Sequence, residues 1–353
     1  MDIERIPYEE YFHIAEDWNT LLAQSGSDNI HLTHEWLSTW ITFFGKGKEL
    51  ILLRAKDDGK IIGYAPLMKT ASKLKGVIPY PRLLFWGDPE SDFGDILLLQ
   101  KRSEVLPEIF RYINENFSFG EILLHTISEL SPNFGIIRDM AIKNGYQFTP
   151  HTPCYFIDCR AQEWDDFYRN ASKGHIHKDV RRLRNHYAKI QWSIEEWHHF
   201  ELDECLSTIS FLHGASQTRK QRQSFYASEH NRSFIKGVAL LFGQRGWFRA
   251  YVLHVEGRPI SFMLGFEYKR TYYWWNTGFD PAYKNISPTK FLLLNILKKG
   301  FEERCWDEFN FMRGGADYKK RLTQSSYNLY QLRILNNKGL FGKLNKFRNP
   351  ISV

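Results

Sequence analysis

The sequence predicts two α/β (α+β) domains, each with helices packed on a β-sheet. Three observations carry this. The chain of 353 residues is long enough to bury two cores. Strand-like and helix-like segments alternate through both halves. Each half also holds apolar segments broken by tight turns, over residues 49–68 and 246–280. A boundary near 155–162 separates domains 1–158 and 159–353.

In the first half, residues 6–24 have helical spacing and predict one or two short helices. Within His34–Phe44, Trp36 and Trp40 stand four apart and share a helical face. From Glu49 to Met68, two apolar runs flank Asp57, Asp58 and Gly59, the pattern of a β-hairpin. Residues 69–77, with three lysines and a glycine, predict an exposed loop. Strands are expected at Leu83–Trp86, Asp95–Leu99 and Glu121–His125, and a helix over 102–116. A second helix over 131–144 ends at Gly145, a suitable C-cap, before strand-like residues 146–158.

The second half opens with helices. Glu163, Asp165 and Asp166 suit a first turn, where free backbone N–H groups favour negative charge, and Ser172 suits the next cap. Further helices are expected around 196–213 and 226–236. Three strands follow, turning at Glu256–Gly257 and, less regularly, near Lys269–Arg270. Ser287 and Pro288 start an apolar helix that reaches Gly300. A strand at Asp307–Met312, the pair Gly314–Gly315 and a last strand at Tyr327–Leu335 complete the pattern.

Apolar residues at 43% and charged residues at 25% fit a globular protein. The aromatic fraction of 16% serves either a large core or grooves that hold sugars, bases or acyl chains. A net charge of +7 fits an anionic partner or simply a basic solvated surface. Cys154, Cys159, Cys205 and Cys305 lack metal-ligand or disulfide spacing and are expected as free thiols. Acidic residues stand where a signal peptide needs a basic region, and no apolar run is long enough to span a bilayer. The expected location is cytoplasmic.

Three stretches carry candidate chemistry. In 171–190, Ile176, Val180, Leu183, Tyr187 and Ile190 form one apolar helical face, surrounded by Lys173, Lys178, Arg181, Arg182, Arg184 and Lys189. Guanidinium groups there suit phosphate; a docked basic surface helix is the plainer reading. From Thr277 to Lys299 a strand leads through a loop into a helix whose free N–H groups can receive a pyrophosphate. Ser287, Thr289 and Lys290 are possible added donors. In 311–322 two glycines precede Asp317, Tyr318 and Lys319; the phenol suits a leaving thiolate, and the ammonium suits a carboxylate or phosphate.

The thirteen histidines form no recognised ligand set, and His175–His177 and His198–His199 would diverge on helices, so no metal is expected. No specific nucleic-acid module is present, nor a GxSxG, Walker or GxGxxG motif. Tyr272–Trp275 put bulky rings on both faces of one strand, chiefly for packing. The C-terminal segment, with Leu340, Phe341, Leu344 and Phe347 among basic residues, suits a docking tail or peripheral contact with an anionic membrane.

Several of these stretches together resemble the CelD/BcsL-type acetyltransferases, a GNAT-superfamily branch allied to Fem-type peptidyltransferases. The matching features are the basic run Lys173–Leu183, His213 in FLHGASQTR, the strands and GFDP…SP segment of 255–288, and the closing FNFMRGGADYKKRL. A Trp-rich helix and a strand ending in Ala65–Pro66–Leu67 match in the first half. The resemblance implies tandem GNAT-like acyltransferase domains with mixed sheets, an acyl-thioester donor, usually acetyl-CoA, and an amine or hydroxyl acceptor in polysaccharide or envelope biosynthesis. It implies CoA pyrophosphate at Ser287, Thr289 and Lys290, with Arg181 and Arg182 on phosphates. His213, Asp317, Tyr318 and Lys319 become the catalytic candidates. Thr289 stands where the family has glycine.

The expected function is direct acyl transfer from acyl-CoA to a sugar, an envelope precursor or a related metabolite. Two alternatives stand beside it. One is an aminoacyl-tRNA donor, as in Fem-type enzymes. The other is a non-catalytic module of the same fold that holds an anionic glycan or nucleic acid.

Overall fold

The computed structural model describes all residues except 75, 161, 171–174, 198–201 and 337–353. Ser172, Lys173, the His198–His199 pair and the C-terminal tail, all named above, lie outside the described residues. Two compact units divide the chain: residues 1–152 with 327–353, and residues 153–326. The last strand, expected in the second domain, therefore belongs to the first unit.

The first unit begins with β1 (Asp2–Ile6), α1 (Ala15–Gln24) and α2 (His34–Phe44). Thr33 caps α2 by accepting from the Trp36 N–H, and Trp36 and Trp40 are fully buried on the expected shared face. The hairpin of β2 (Glu49–Asp57) and β3 (Lys60–Leu74) turns at Asp58 and Gly59, both with positive φ. That conformation matches the twist of the flanking strands. β3 runs on through residues expected as a loop, pairing as far as Leu74↔Ile78 with β4 (Ile78–Phe85). Ladder hydrogen bonds hold this extension although its side chains are mostly polar.

Next come β5 (Leu97–Leu98), α3 (Arg102–Asn116), β6 (Glu121–Ser128), α4 (Phe134–Asn144) and β7 (Gln147–Asp158). Gly145 ends α4 in the left-handed conformation, as expected. The unit's sheet order is β1-β2-β3-β4-β6, antiparallel except for the parallel β4–β6 step.

In the second unit, α5 (Trp164–Asn170) and α6 (His175–Tyr187) precede β8 (Trp192–Trp197), a strand the sequence reading missed. α7 (Leu202–Arg219) and α8 (Glu229–Gln244) follow, then the meander β9 (Phe248–Val255), β10 (Arg258–Tyr268) and β11 (Thr271–Phe279). α9 (Pro288–Glu302), β12 (Glu308–Arg313) and α10 (Asp317–Leu322) come last. The sheet order is β8-β9-β10-β11-β12, with residues 154–158 of β7 antiparallel to β12. The final strand β13 (Ser326–Leu335) pairs antiparallel with β6 of the first unit.

Each unit has its own core. Leu83, Ile109, Ile122 and Leu332 are among the residues filling the first; Leu253, Tyr272, Leu292 and Phe309 are among those filling the second. None of the four cysteines forms a disulfide. Among the described residues, no helix is long and apolar enough to cross a membrane.

Candidate active site

In the second unit the sheet opens between β11 and β12. These parallel strands pair only from Thr271↔Glu308 to Tyr273↔Asn310 and then part. The cause is local. The β10–β11 register passes from Leu264↔Asn276 to Gly265↔Trp274, so Trp275 is an unpaired bulge residue that bends β11 away. Beyond the bulge, side chains satisfy the backbone in place of β12. The Trp274 indole donates to the Asn276 carbonyl at 3.3 Å, and the Thr277 N–H donates to Asn276 Oδ1 at 2.7 Å.

β11 leads through a short 3-10 turn into α9. Ser287 stands at the N-cap but in the left-handed conformation, with φ 52° and ψ 56°, and its hydroxyl makes no cap. Side-chain capping needs an extended residue, so the expected Ser287 cap fails while the helix start at Pro288 holds. Thr289 does not turn across the helix end: its hydroxyl lies 3.2 Å from that of buried Ser261, which itself donates to the Gly278 carbonyl at 3.0 Å. Ser261 thus uses its proton on Gly278 and accepts from Thr289. The free N–H groups at the start of α9 have no side-chain cap.

Lys290 reaches Asp179 of α6 at 2.8 Å, and Asp179 also lies 3.5 Å from Arg182. This carboxylate draws Arg182 and Lys290 to the α9 N-terminus; Arg181 is exposed on the same helix. Two of the predicted phosphate-binding cations, Arg182 on α6 and Lys290 on α9, thus meet at one acid. Asp179 was not singled out from sequence, though it is the one acidic residue of α6.

The α10 candidates separate. Lys319 is buried, and its ammonium donates to the Met312 and Arg313 carbonyls at 3.0 and 2.8 Å. It fastens the end of β12, where Met312 has φ 57° and Gly314 φ 112°, instead of presenting charge to a ligand. Asp317 is exposed at the first position of α10. Tyr318 is 45% exposed, yet its ring lies against Trp274 and Phe311, with centroids 5.7 and 6.4 Å away. Burial among these rings pushes its phenol up to about 12.

His213 belongs to another surface of the sheet. α7 crosses β11 so closely that a Cβ on Gly278 would stand 2.9 Å from the His213 Cα. The imidazole packs beside Phe262 and Tyr226, whereas the next β10 residue, Met263, joins the core under α9. Alternation along β10 therefore puts His213 and Tyr318 on opposite faces. Nδ1 of His213 is 2.7 Å from Ser224 Oγ, and Nε2 is 3.1 Å from Gln217 Nε2, so the amide donates and the ring is neutral. Burial, with the charge of Lys220 a smaller cause, lowers its pKa to about 4. Gln217 and Ser224 also escaped the sequence reading; Gln217, one helical turn after His213, was the available signal.

Residues 174–320 match the family described as acetyltransferase (GNAT) domain. No curated protein matches. The chain is similar in structure to FemX, at 10% identity and TM-score 0.65, covering 98% of this chain and 100% of that one. It is also similar to L-PGS from Bacillus licheniformis, at 14% identity and TM-score 0.56, covering 94% of each chain. A tandem GNAT protein from the clavulanic acid biosynthesis pathway aligns at 11% identity and TM-score 0.53, covering 95% of this chain and 98% of that one. At such identities the likeness is one of fold, and the fold is the tandem GNAT fold, a mixed α/β architecture with helices flanking mixed sheets.

Proposed function

We propose that the chain is an acyltransferase of the CelD/BcsL type. It moves an acyl group, foremost acetyl, from acyl-CoA to an amine or hydroxyl of a sugar or envelope precursor in the cytoplasm. The observation that carries this reading is the parting of β11 and β12 in the unit where α9 opens with free N–H groups. A pantetheine arm suits the gap, since its amides can replace the side-chain contacts of Trp274 and Asn276. A pyrophosphate suits the α9 N-terminus, with Arg181, Arg182 and Lys290 as counter-charges.

In the reaction the acceptor nitrogen or oxygen bonds to the thioester carbonyl carbon and gives up its proton to solvent, the C–S bond breaks, and the departing thiolate takes a proton from solvent. Backbone N–H groups beside the bulge suit the charge that builds on the carbonyl oxygen. The Tyr318 phenol, at about 12, remains protonated and suits a hydrogen bond to the departing sulfur. Full transfer to a thiolate of pKa about 8.5 would run uphill, so the phenol is better suited to stabilise than to protonate. His213, neutral and engaged at both nitrogens, suits a positioning role.

Calorimetric titration with acetyl-CoA and 3′-dephospho-CoA tests the donor. Micromolar binding of acetyl-CoA, weakened about tenfold by R181E/R182E, is the expected result. Weaker binding of the dephospho compound would assign the 3′-phosphate to the cations of α6. Absence of binding at millimolar acetyl-CoA would remove the binary donor complex. The exposed cations of α6 also favour a second reading, an aminoacyl-tRNA donor. Binding of aminoacyl-tRNA without any binding of acetyl-CoA would select it.

A further inference from the structure

A cavity of about 300 Å³ lies away from the acyl-donor gap, between α5, the C-terminal half of α6, β8 and one side of α9. Phe291, Leu294, Asn295 and Lys298 supply the α9 wall, spaced three, one and three apart so that they share one stripe. Trp164, Tyr187 and Trp192 face them. Tyr187 and Phe291 stack with centroids 3.5 Å apart, and Trp192 stands edge-on to both, 39% exposed.

Two features separate this cavity from an ordinary packing gap. The first is charge at the mouth. Arg184 and Lys298 both line it and both are exposed. Arg184 has no carboxylate partner among the described residues, and Lys298 has only the loose, solvent-exposed contact to Glu302 at 3.5 Å. The nearby acids are committed elsewhere: Asp179 to Arg182 and Lys290, and Glu196 to Lys299 and Arg249. The second is a buried polar atom. The Tyr187 hydroxyl has no hydrogen-bond partner among the described residues, although Tyr187 is only 1% exposed. Such a group is normally satisfied, and a bound polar atom or water would do so here.

We propose that this cavity binds a small soluble amphiphile with an apolar body and a single anionic head, the body against Trp164, Leu183 and Leu294 beside the stacked Tyr187–Phe291 pair and the head between Arg184 and Lys298. The volume sets the size of the body. At about 30 Å³ per water-sized group, the space takes roughly ten such groups, a medium alkyl chain or one aromatic ring system. The charge sets the head, because a neutral or cationic one would leave both side chains uncompensated.

The test is calorimetric titration of the whole protein with octyl phosphate, octanol and octyltrimethylammonium, all below their micelle concentrations. Wild type should bind octyl phosphate at least about tenfold more tightly than octanol, a gap of about 1.4 kcal/mol, and should not bind the cation. R184E/K298E should erase that preference. A188W, at an exposed lining position, should abolish binding with an unchanged circular dichroism spectrum. Equal binding of phosphate and cation, or an affinity indifferent to both variants, would overturn the assignment. So would binding seen only with vesicles containing phosphatidic acid and not with free octyl phosphate, which would indicate a membrane-facing surface instead. Acetyl-CoA affinity should be unchanged in A188W, so failure of this site and failure of the donor site are separately visible.

Discussion

His213 is held neutral by its surroundings, and that makes its contribution to stability depend on pH in a definite direction. Its native pKa is about 4, below the ordinary value of 6.5. Between those values the unfolded chain binds a proton that the native imidazole refuses, so native stability falls as pH drops from 6.5 towards 4. Urea unfolding at pH 7 and pH 4.5 should reveal a loss in wild type about 2 kcal/mol larger than in His213→Gln. Equal losses would mean that His213 titrates normally in the folded protein. At this scale the sequence named candidate residues but not the contacts each one makes. Lys319 reads as a free cation in DYKKRL, and only the fold turns its ammonium onto two carbonyls. Thr289 reads as a donor for a phosphate where the family has glycine, and a hydroxyl partner 28 residues earlier draws it aside. Contacts at such separations leave no local pattern to read.

Elements were more legible, because period and turn chemistry are local. The hairpin at Asp58–Gly59, α3 over 102–116, the α9 start at Pro288 and the Gly145 cap all stand where the residues place them. β8 was missed because SIEEW has three polar residues and one mostly buried position, Trp197, which imitates the start of a helix. The Lys269–Arg270 turn adopts two positive φ values without glycine, held between strands that pair on both sides. α10 is not legible in the sequence because six residues are too few for helical periodicity. Its attachment to β12 depends on Lys319. Lys319→Met should lower unfolding free energy by about 2 kcal/mol, since two charge-assisted bonds to buried carbonyls are lost. An unchanged denaturation midpoint would show that water replaces the ammonium at no cost.

At the level of the whole chain, the two units repeat one plan. Four antiparallel strands, β1 to β4 or β8 to β11, are followed by a parallel step to β6 or β12. Each then gains an antiparallel strand from out of sequence order: β13 for the first unit, residues 154–158 of β7 for the second. No repeat is visible in the sequence, because burial on the two sheets is met by different side chains. The exchange also explains why a single cut near 158 misdescribes the units. Fragment 1–158 lacks Leu332 and Ile334 of its core and lacks Arg333, which pairs with fully buried Glu121. An under-paired buried carboxylate and an open β6 edge both destabilise it. Fragments 1–158 and 159–353 should each be insoluble or lack a cooperative melt, and co-expression should restore one. A cooperative melt from 1–158 alone would refute this.

The late position of β13 also sets a clock for the newborn protein. The first unit's residues through Thr152 are followed by the 174 residues Pro153–Ser326 before the unit resumes at Tyr327. At about 5–20 residues per second, the ribosome needs roughly ten to thirty-five seconds to cover that distance. Throughout that interval the earliest-made half waits with one edge of β6 open, a window in which another strand could pair there before β13 arrives.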